Sequence, residues 1–183
     1  LGFNTLATIY YYKKNAINKK INIYSPELDA DLVKSLKAFT YPDEFKSIKY
    51  IVDELSQNGN YIDKDLKIEL FIGDARLYVK NLDVKFDIVY QDAFSPSVNP
   101  LLWTKEYFRD IKKIINKKGI LTTYSTALKT RLALWENGFK VYINKGNNFR
   151  NSTLASISEL KGYEEVDMLH KINCNPDVKS LRD

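Results

Sequence analysis

Residues 86 to 104 read F-D-I-V-Y-Q-D-A-F-S-P-S-V-N-P-L-L-W-T, and the order of residue types along this stretch decides the fold. Phe86, Ile88, Val89 and Tyr90 give a short run of β-branched and aromatic residues, the composition of a buried strand. Asp92 follows at once. A segment bearing Ser95, Pro96, Ser97 and Pro100 then interrupts regular structure, with the prolines stiffening it. Beyond it, Lys105 to Ile115 places Tyr107, Phe108, Ile111, Ile114 and Ile115 at helical spacing. A strand ending on an acid, then a loop and an amphipathic helix, is one βα unit.

The same alternation runs outward in both directions. Strands are expected at Ile21 to Ser25, Lys67 to Ile72, Gly119 to Tyr124, Phe139 to Ile143 and Leu154 to Ile157. Helices are expected at Leu6 to Tyr12, Ala30 to Phe39 and Glu44 to Gln57, with stops at Asn58-Gly59, Lys118-Gly119 and Asn137-Gly138. Strands alternating with helices predict an α/β fold, Rossmann-like and doubly wound, whose mostly parallel sheet is covered on both faces. The last two strands, joined by the polar stretch Asn144 to Asn151, are expected as a C-terminal antiparallel hairpin at the sheet edge. Residues 1–183 are expected to be a single domain.

The sequence opens without methionine at Leu1-Gly2-Phe3-Asn4 and runs directly into a helix. In a doubly wound sheet a central strand and a glycine-rich turn come first. The first strand and part of that turn are therefore expected upstream of Leu1.

Composition narrows the classes. No run approaches the roughly eighteen apolar residues of a membrane helix, so a soluble, cytoplasmic protein is expected. The single Cys174 and single His170 supply neither a disulfide nor a zinc ligand set, and no metal is expected. A formal net charge of +5 suits an anionic partner and equally suits simple solubility. Lys112, Lys113, Lys117, Lys118, Lys129, Arg131, Lys145 and Arg150 are candidate phosphate contacts, though many such lysines only solvate a helix face.

In an open α/β sheet the ligand sits at the carboxyl ends of the strands. Three successive ends carry acids: Ser25-Pro26-Glu27, Gly73-Asp74-Ala75-Arg76 and Asp92-Ala93-Phe94-Ser95-Pro96. A carboxylate after the second strand can hold both hydroxyls of a ribose, and one after the third can accept the exocyclic amine of adenine. Each acid alone is also an ordinary helix cap or turn former. Together, behind a Gly-x-Asn turn, they indicate a nucleoside cofactor.

With Asn99-Pro100 and Trp103-Thr104 added, these residues resemble the MnmC-type tRNA methyltransferase domain, a class I S-adenosylmethionine-dependent family. The D-A/G-F-x-P-x-x-N-P-x-x-W-T string is the specific element. Thr153-Leu154-Ala155-Ser156 and Leu181-Arg182-Asp183 extend the likeness towards the end of the sequence. The resemblance implies methyl transfer from S-adenosyl-L-methionine to the amine of a 5-aminomethyl-(2-thio)uridine at the tRNA wobble position. The implied partners are the tRNA anticodon loop and a flavin-dependent oxidase acting upstream, which this sequence does not resemble.

By motif position, the resemblance assigns Gly2, Phe3 and Asn4 to the methionine side of the cofactor. It assigns Glu27 to the ribose, Gly73, Asp74 and Ala75 to the adenine, and Asp92 both to the cofactor and, as the catalytic residue, to the reacting amine. Phe94, Ser95, Pro96, Trp103 and Tyr124 are the candidate substrate residues, with the aromatic rings as walls for a flipped-out base. Phe94 and Trp103 are alternatively core residues of the loop-to-helix junction. Two other functions fit the fold: a polyamine aminopropyltransferase, from which the N-P-x-x-W-T continuation is expected to be absent, and a non-catalytic tRNA-binding domain.

Overall fold

The computed structural model describes residues 2–146 and 150–183, so residues 147–149 of the expected hairpin connection lie outside the described residues. Those described form two compact units, divided between Tyr78 and Val79. Each has its own core.

The first unit begins with α1 (Phe3–Lys14) and β1 (Ile21–Glu27). Asp29 then caps α2 (Ala30–Ser35), accepting the backbone N–H groups of Asp31 and Leu32 at 2.9 and 3.0 Å. The helix expected from Ala30 to Phe39 tightens into a 3-10 turn at Leu36–Ala38. The helix expected from Glu44 divides in the same manner, into a 3-10 segment, Asp43–Ile48, and α3 (Lys49–Asn58). Gly59 ends α3 as expected, its N–H returning to Leu55 O.

Two further strands, β2 (Asn60–Ile62) and β3 (Leu66–Ile72), complete a sheet of order β1-β3-β2. β1 and β3 run parallel in continuous register from Ile21 opposite Leu66 to Glu27 opposite Ile72. Leu6, Ile9, Ile48, Ile51 and Ile68, each almost fully buried, form the centre of this core. α4 (Ala75–Asn81) follows β3.

The second unit holds β4 (Phe86–Tyr90), α5 (Lys105–Ile114), β5 (Ile115–Thr123) and α6 (Leu128–Glu136). Then come β6 (Lys140–Asn144), β7 (Ser152–Ser156), β8 (Glu164–Glu165) and α7 (Met168–Asn173). The sheet order is β4-β5-β7-β6-β8. β4 and β5 are parallel, as the βα unit requires, and the expected hairpin is the antiparallel β6–β7 pair. β7 lies inside the sheet against β5, while the outer side of β6 pairs with the two residues of β8. The hairpin is thus flanked on both sides, not the edge itself.

One boundary differs from the sequence reading. Lys118-Gly119, taken as a helix stop, lies inside β5, which starts directly after α5 at Ile115. The β-branched pair Ile114-Ile115 carries the chain from helix to strand, and the register with β4 slips between Phe86 and Ile88. Gly119 sits at this irregularity. A Cβ there would lie 2.6 Å from Ile115 Cγ1 and 2.9 Å from the Phe86 carbonyl oxygen, so the glycine permits a close backbone approach.

Candidate active site

In the first unit, the parallel pairing of β1 and β3 brings two of the candidate acids to neighbouring strand ends. The Gly73 N–H donates to the Glu27 carbonyl at 2.9 Å, which fixes the turn after β3 beside the end of β1. Glu27 Oε1 accepts the Asp29 N–H at 3.0 Å. Asp74 Oδ1 accepts the Arg76 N–H at 2.7 Å and thereby caps α4. Asp74 is thus a helix cap and Glu27 a turn former ahead of Asp29, and each role engages one oxygen of the carboxylate.

Gly73 has φ 151, and a Cβ added to it would come within 2.7 Å of the Phe71 ring. That ring is stacked on Tyr78 at 4.5 Å and 13°, which restricts its withdrawal. The Tyr78 hydroxyl is buried and, among the described residues, has no hydrogen-bond partner; burial first, then Glu69 and Tyr24, pushes it up to about 12. It remains a neutral phenol at physiological pH. Ala75 opens the following helix.

Gly2, Phe3 and Asn4 form the start of α1, with Gly2 at φ 84 and its carbonyl accepting the Leu6 N–H at 2.8 Å. Phe3 is half-exposed and packs on Tyr41 and Phe45, at ring distances of 5.6 and 6.2 Å. Tyr41 was not singled out from sequence. Its only signal was an aromatic residue preceding Pro42 in an otherwise polar link.

In the second unit, Asp92 is exposed directly after β4, and the loop behind it is held at three carbonyls. Gln91, buried, donates from Nε2 to Leu102 O at 2.8 Å. The Trp103 indole N–H donates to Phe94 O at 2.7 Å, and the Tyr124 hydroxyl donates to Ala93 O at 2.9 Å. Tyr124 also meets the Trp103 ring edge at 5.9 Å. Burial, and then the charge of Asp92, holds the Tyr124 hydroxyl above the ordinary tyrosine value, so it stays protonated and able to donate.

The candidate substrate residues thus divide. Phe94 is 71% exposed and Tyr124 42%, whereas Trp103 is 0% exposed and lies in the core. Trp103 supports the loop from beneath and presents no face for a base. Ser95 Oγ pairs with Ser97 Oγ at 2.8 Å, and its carbonyl accepts the Val98 and Asn99 N–H groups around Pro96. Gln91 escaped the sequence reading. A lone amide at the end of an apolar strand was the signal available for it.

Four of the eight candidate phosphate contacts are engaged within the protein. Lys112 donates to Asn137 O at 2.7 Å, Lys113 pairs with buried Asp110 at 2.8 Å, and Lys145 pairs with Glu164. Arg131 donates to Thr153 Oγ1 at 3.0 Å, and burial lowers its pKa. Among the described residues no cluster of His, Cys, Asp or Glu fits a metal ion, and no helix is long and apolar enough to cross a membrane.

Residues 43–158 match the model of a family described as S-adenosyl-L-methionine-dependent methyltransferase. An uncharacterized protein of Methanocaldococcus jannaschii is 30% identical over 152 residues, 77% of this chain and 39% of that protein. The bifunctional tRNA 5-methylaminomethyl-2-thiouridine biosynthesis protein MnmC of Campylobacter hominis is 31% identical over 105 residues, 55% of this chain and 16% of that protein. The crystal structure of MnmC2 from Aquifex aeolicus superposes with a TM-score of 0.73 at 27% identity, covering 93% of this chain and 64% of that one. The chain therefore spans well under half the length of these two curated relatives. With more than half of its residues inside the family match, and with its α/β fold, the chain belongs to the S-adenosyl-L-methionine-dependent methyltransferases related to MnmC.

Proposed function

We propose that the protein methylates the primary amine of a 5-aminomethyl-(2-thio)uridine at the wobble position of tRNA. The observation that carries this reading is the loop of residues 92–104, with Asp92 exposed at its start and three of its carbonyls tied by Gln91, Trp103 and Tyr124. Its sequence is the element most specific to the MnmC-type resemblance.

The residues of the first unit fit a nucleoside cofactor. Among the described residues, Glu27 and Asp74 each have one oxygen engaged by backbone, which leaves further acceptor capacity for a ribose diol and an adenine amine. The Gly73 turn, which the Phe71 ring leaves no room to substitute, holds Asp74 beside the end of β1. Gly2, Phe3 and Asn4 would serve the methionine side, Glu27 the ribose, and Gly73, Asp74 and Ala75 the adenine. S-adenosyl-L-methionine, when bound, supplies an electrophilic methyl group.

Displacement at that methyl needs a neutral amine in line with the carbon–sulfur bond, so positioning dominates the chemistry. Asp92 accepts a hydrogen bond from the amine and aims its lone pair, and it can take up the proton released on N-methylation. Phe94, with Ser95, Pro96 and Tyr124, lines the pocket for the uracil ring. A wobble base, already unpaired in a loop, enters such a pocket at little cost. Trp103 acts through the loop, not on the base. A flavin-dependent oxidase that generates the aminomethyl group is the expected partner in the pathway.

The test is the Asp92→Asn variant of the full-length protein, assayed with undermodified tRNA. We expect S-adenosylmethionine affinity to be retained and turnover to fall by about 10²–10⁴-fold. Undiminished methylation in that variant would remove Asp92 from the reaction. An inability of the wild-type protein to methylate any such tRNA would overturn the substrate assignment.

A further inference from the structure

The loop of residues 92–104 is held from beneath by its own neighbours, and its far end is held by a segment remote in sequence. Thr104, wholly buried, caps α5 by accepting the Tyr107 N–H at 3.2 Å. The same hydroxyl lies 2.8 Å from Asp183 Oδ1 and 3.3 Å from Leu101 O. It has one proton, and the shorter contact, to the carboxyl oxygen, takes the larger share of it. The next two residues are held likewise. Lys105 N–H donates to Leu181 O at 2.9 Å, and Glu106 accepts Arg182 Nε at 2.6 Å and the Asp183 N–H at 3.1 Å.

Ser180 Oγ adds a bond to Glu136 Oε2 at 2.8 Å, and that oxygen also meets Lys105 Nζ at 3.1 Å. The cap residue and first two residues of α5 are thus each fixed by residues 180–183. Arg182 is largely exposed, and an ion pair of that kind contributes little to global stability. The effect of these contacts is local: they set where α5 begins and where the loop ends.

We propose that residues 180–183 are a positioning strap for the substrate loop, acting on tRNA through Thr104 and Glu106 without touching it. The inference rests on the reading of residues 92–104 as the substrate loop. With Asp183 in place the Thr104 hydroxyl is drawn away from Leu101 O, which leaves Gln91 to set the carbonyl of the adjacent Leu102. Without the strap, the hydroxyl turns back into the loop and the last turn before α5 repacks around it.

The experiment compares the full-length wild type with Arg182→Ala, Asp183→Asn and the double variant, and uses Arg182→Lys as the conservative control. Amide hydrogen exchange is measured without RNA, S-adenosylmethionine binding by calorimetry, and kcat and KM with undermodified tRNA. In the double variant we expect loop amides to exchange at least about tenfold faster, β5 and β7 to be unchanged, and cofactor affinity to be retained. KM for tRNA should rise by about tenfold, with partial recovery in Arg182→Lys relative to Arg182→Ala.

Unchanged loop exchange overturns the strap, and so does exchange that accelerates equally in β5 and β7, which would mark a general stabiliser. Faster loop exchange with unaltered kcat and KM overturns its role towards substrate. A wild type that binds cofactor but methylates no tRNA is a different failure: it overturns the functional reading and the strap's role towards tRNA together, while the exchange data still report whether the strap holds the loop.

Discussion

Trp103 shows how one side chain can hold a surface loop without reaching the surface itself. Its indole is wholly buried, yet its single polar atom reaches the Phe94 carbonyl in the loop above. Trp103→Phe keeps an aromatic ring, removes that bond and leaves a small void. The expected loss is about 2–3 kcal/mol in chemical denaturation, summing a hydrogen bond and a partial cavity. A loss below about 0.5 kcal/mol would mean that the loop carbonyl finds an equivalent partner. Tyr124 works from the other side. Because its hydroxyl is held above the usual tyrosine value, its bond to Ala93 is present below pH 10 and is lost only as pH rises through the folded value.

Among the elements, β5 carries the most consequential irregularity. Gly119→Ala forces a methyl group against the Ile115 side chain and the Phe86 carbonyl, and backbone cannot yield as a flexible side chain can. We expect this substitution to cost about 2–4 kcal/mol, read as a lowered denaturation midpoint, whereas an exposed helix position would lose a few tenths. A near-neutral result would mean that β4 shifts freely in register. The long strands were legible because their apolar runs are strong, and the strand-end acids were legible because sheet geometry says where to look. The start of β5 was not, since Lys118-Gly119 satisfies a helix stop and a bulge equally well. β2 and β8, at 3 and 2 residues, carry no periodicity of their own and exist through their neighbours. The side from which Trp103 approaches the loop is likewise a tertiary fact. Only packing reveals it.

Across the whole molecule, the formal net charge of +5 does not say which cations are available to a polyanion. Lys112, Lys113 and Lys145 are engaged within the protein, while Lys129 is exposed on the first turn of α6, shortly after the β5 end that carries Tyr124. Measured as log affinity for tRNA against log salt, Lys129→Gln should reduce the slope by about 1. Lys113→Gln should leave it nearly unchanged. Equal effects of the two substitutions would mean that charge acts diffusely and not through placed contacts.

The segment of residues 180–183 also bears on how the chain is made. Thr104 and Asp183 are 79 positions apart, so on a ribosome the loop emerges long before the residues that fasten its far end. By the time Ser180 is added, β4 to β8 have already been synthesised. A nascent chain can therefore assemble these strands while the loop is still untied, and the far end of the loop is fastened only after the scaffold beneath it exists.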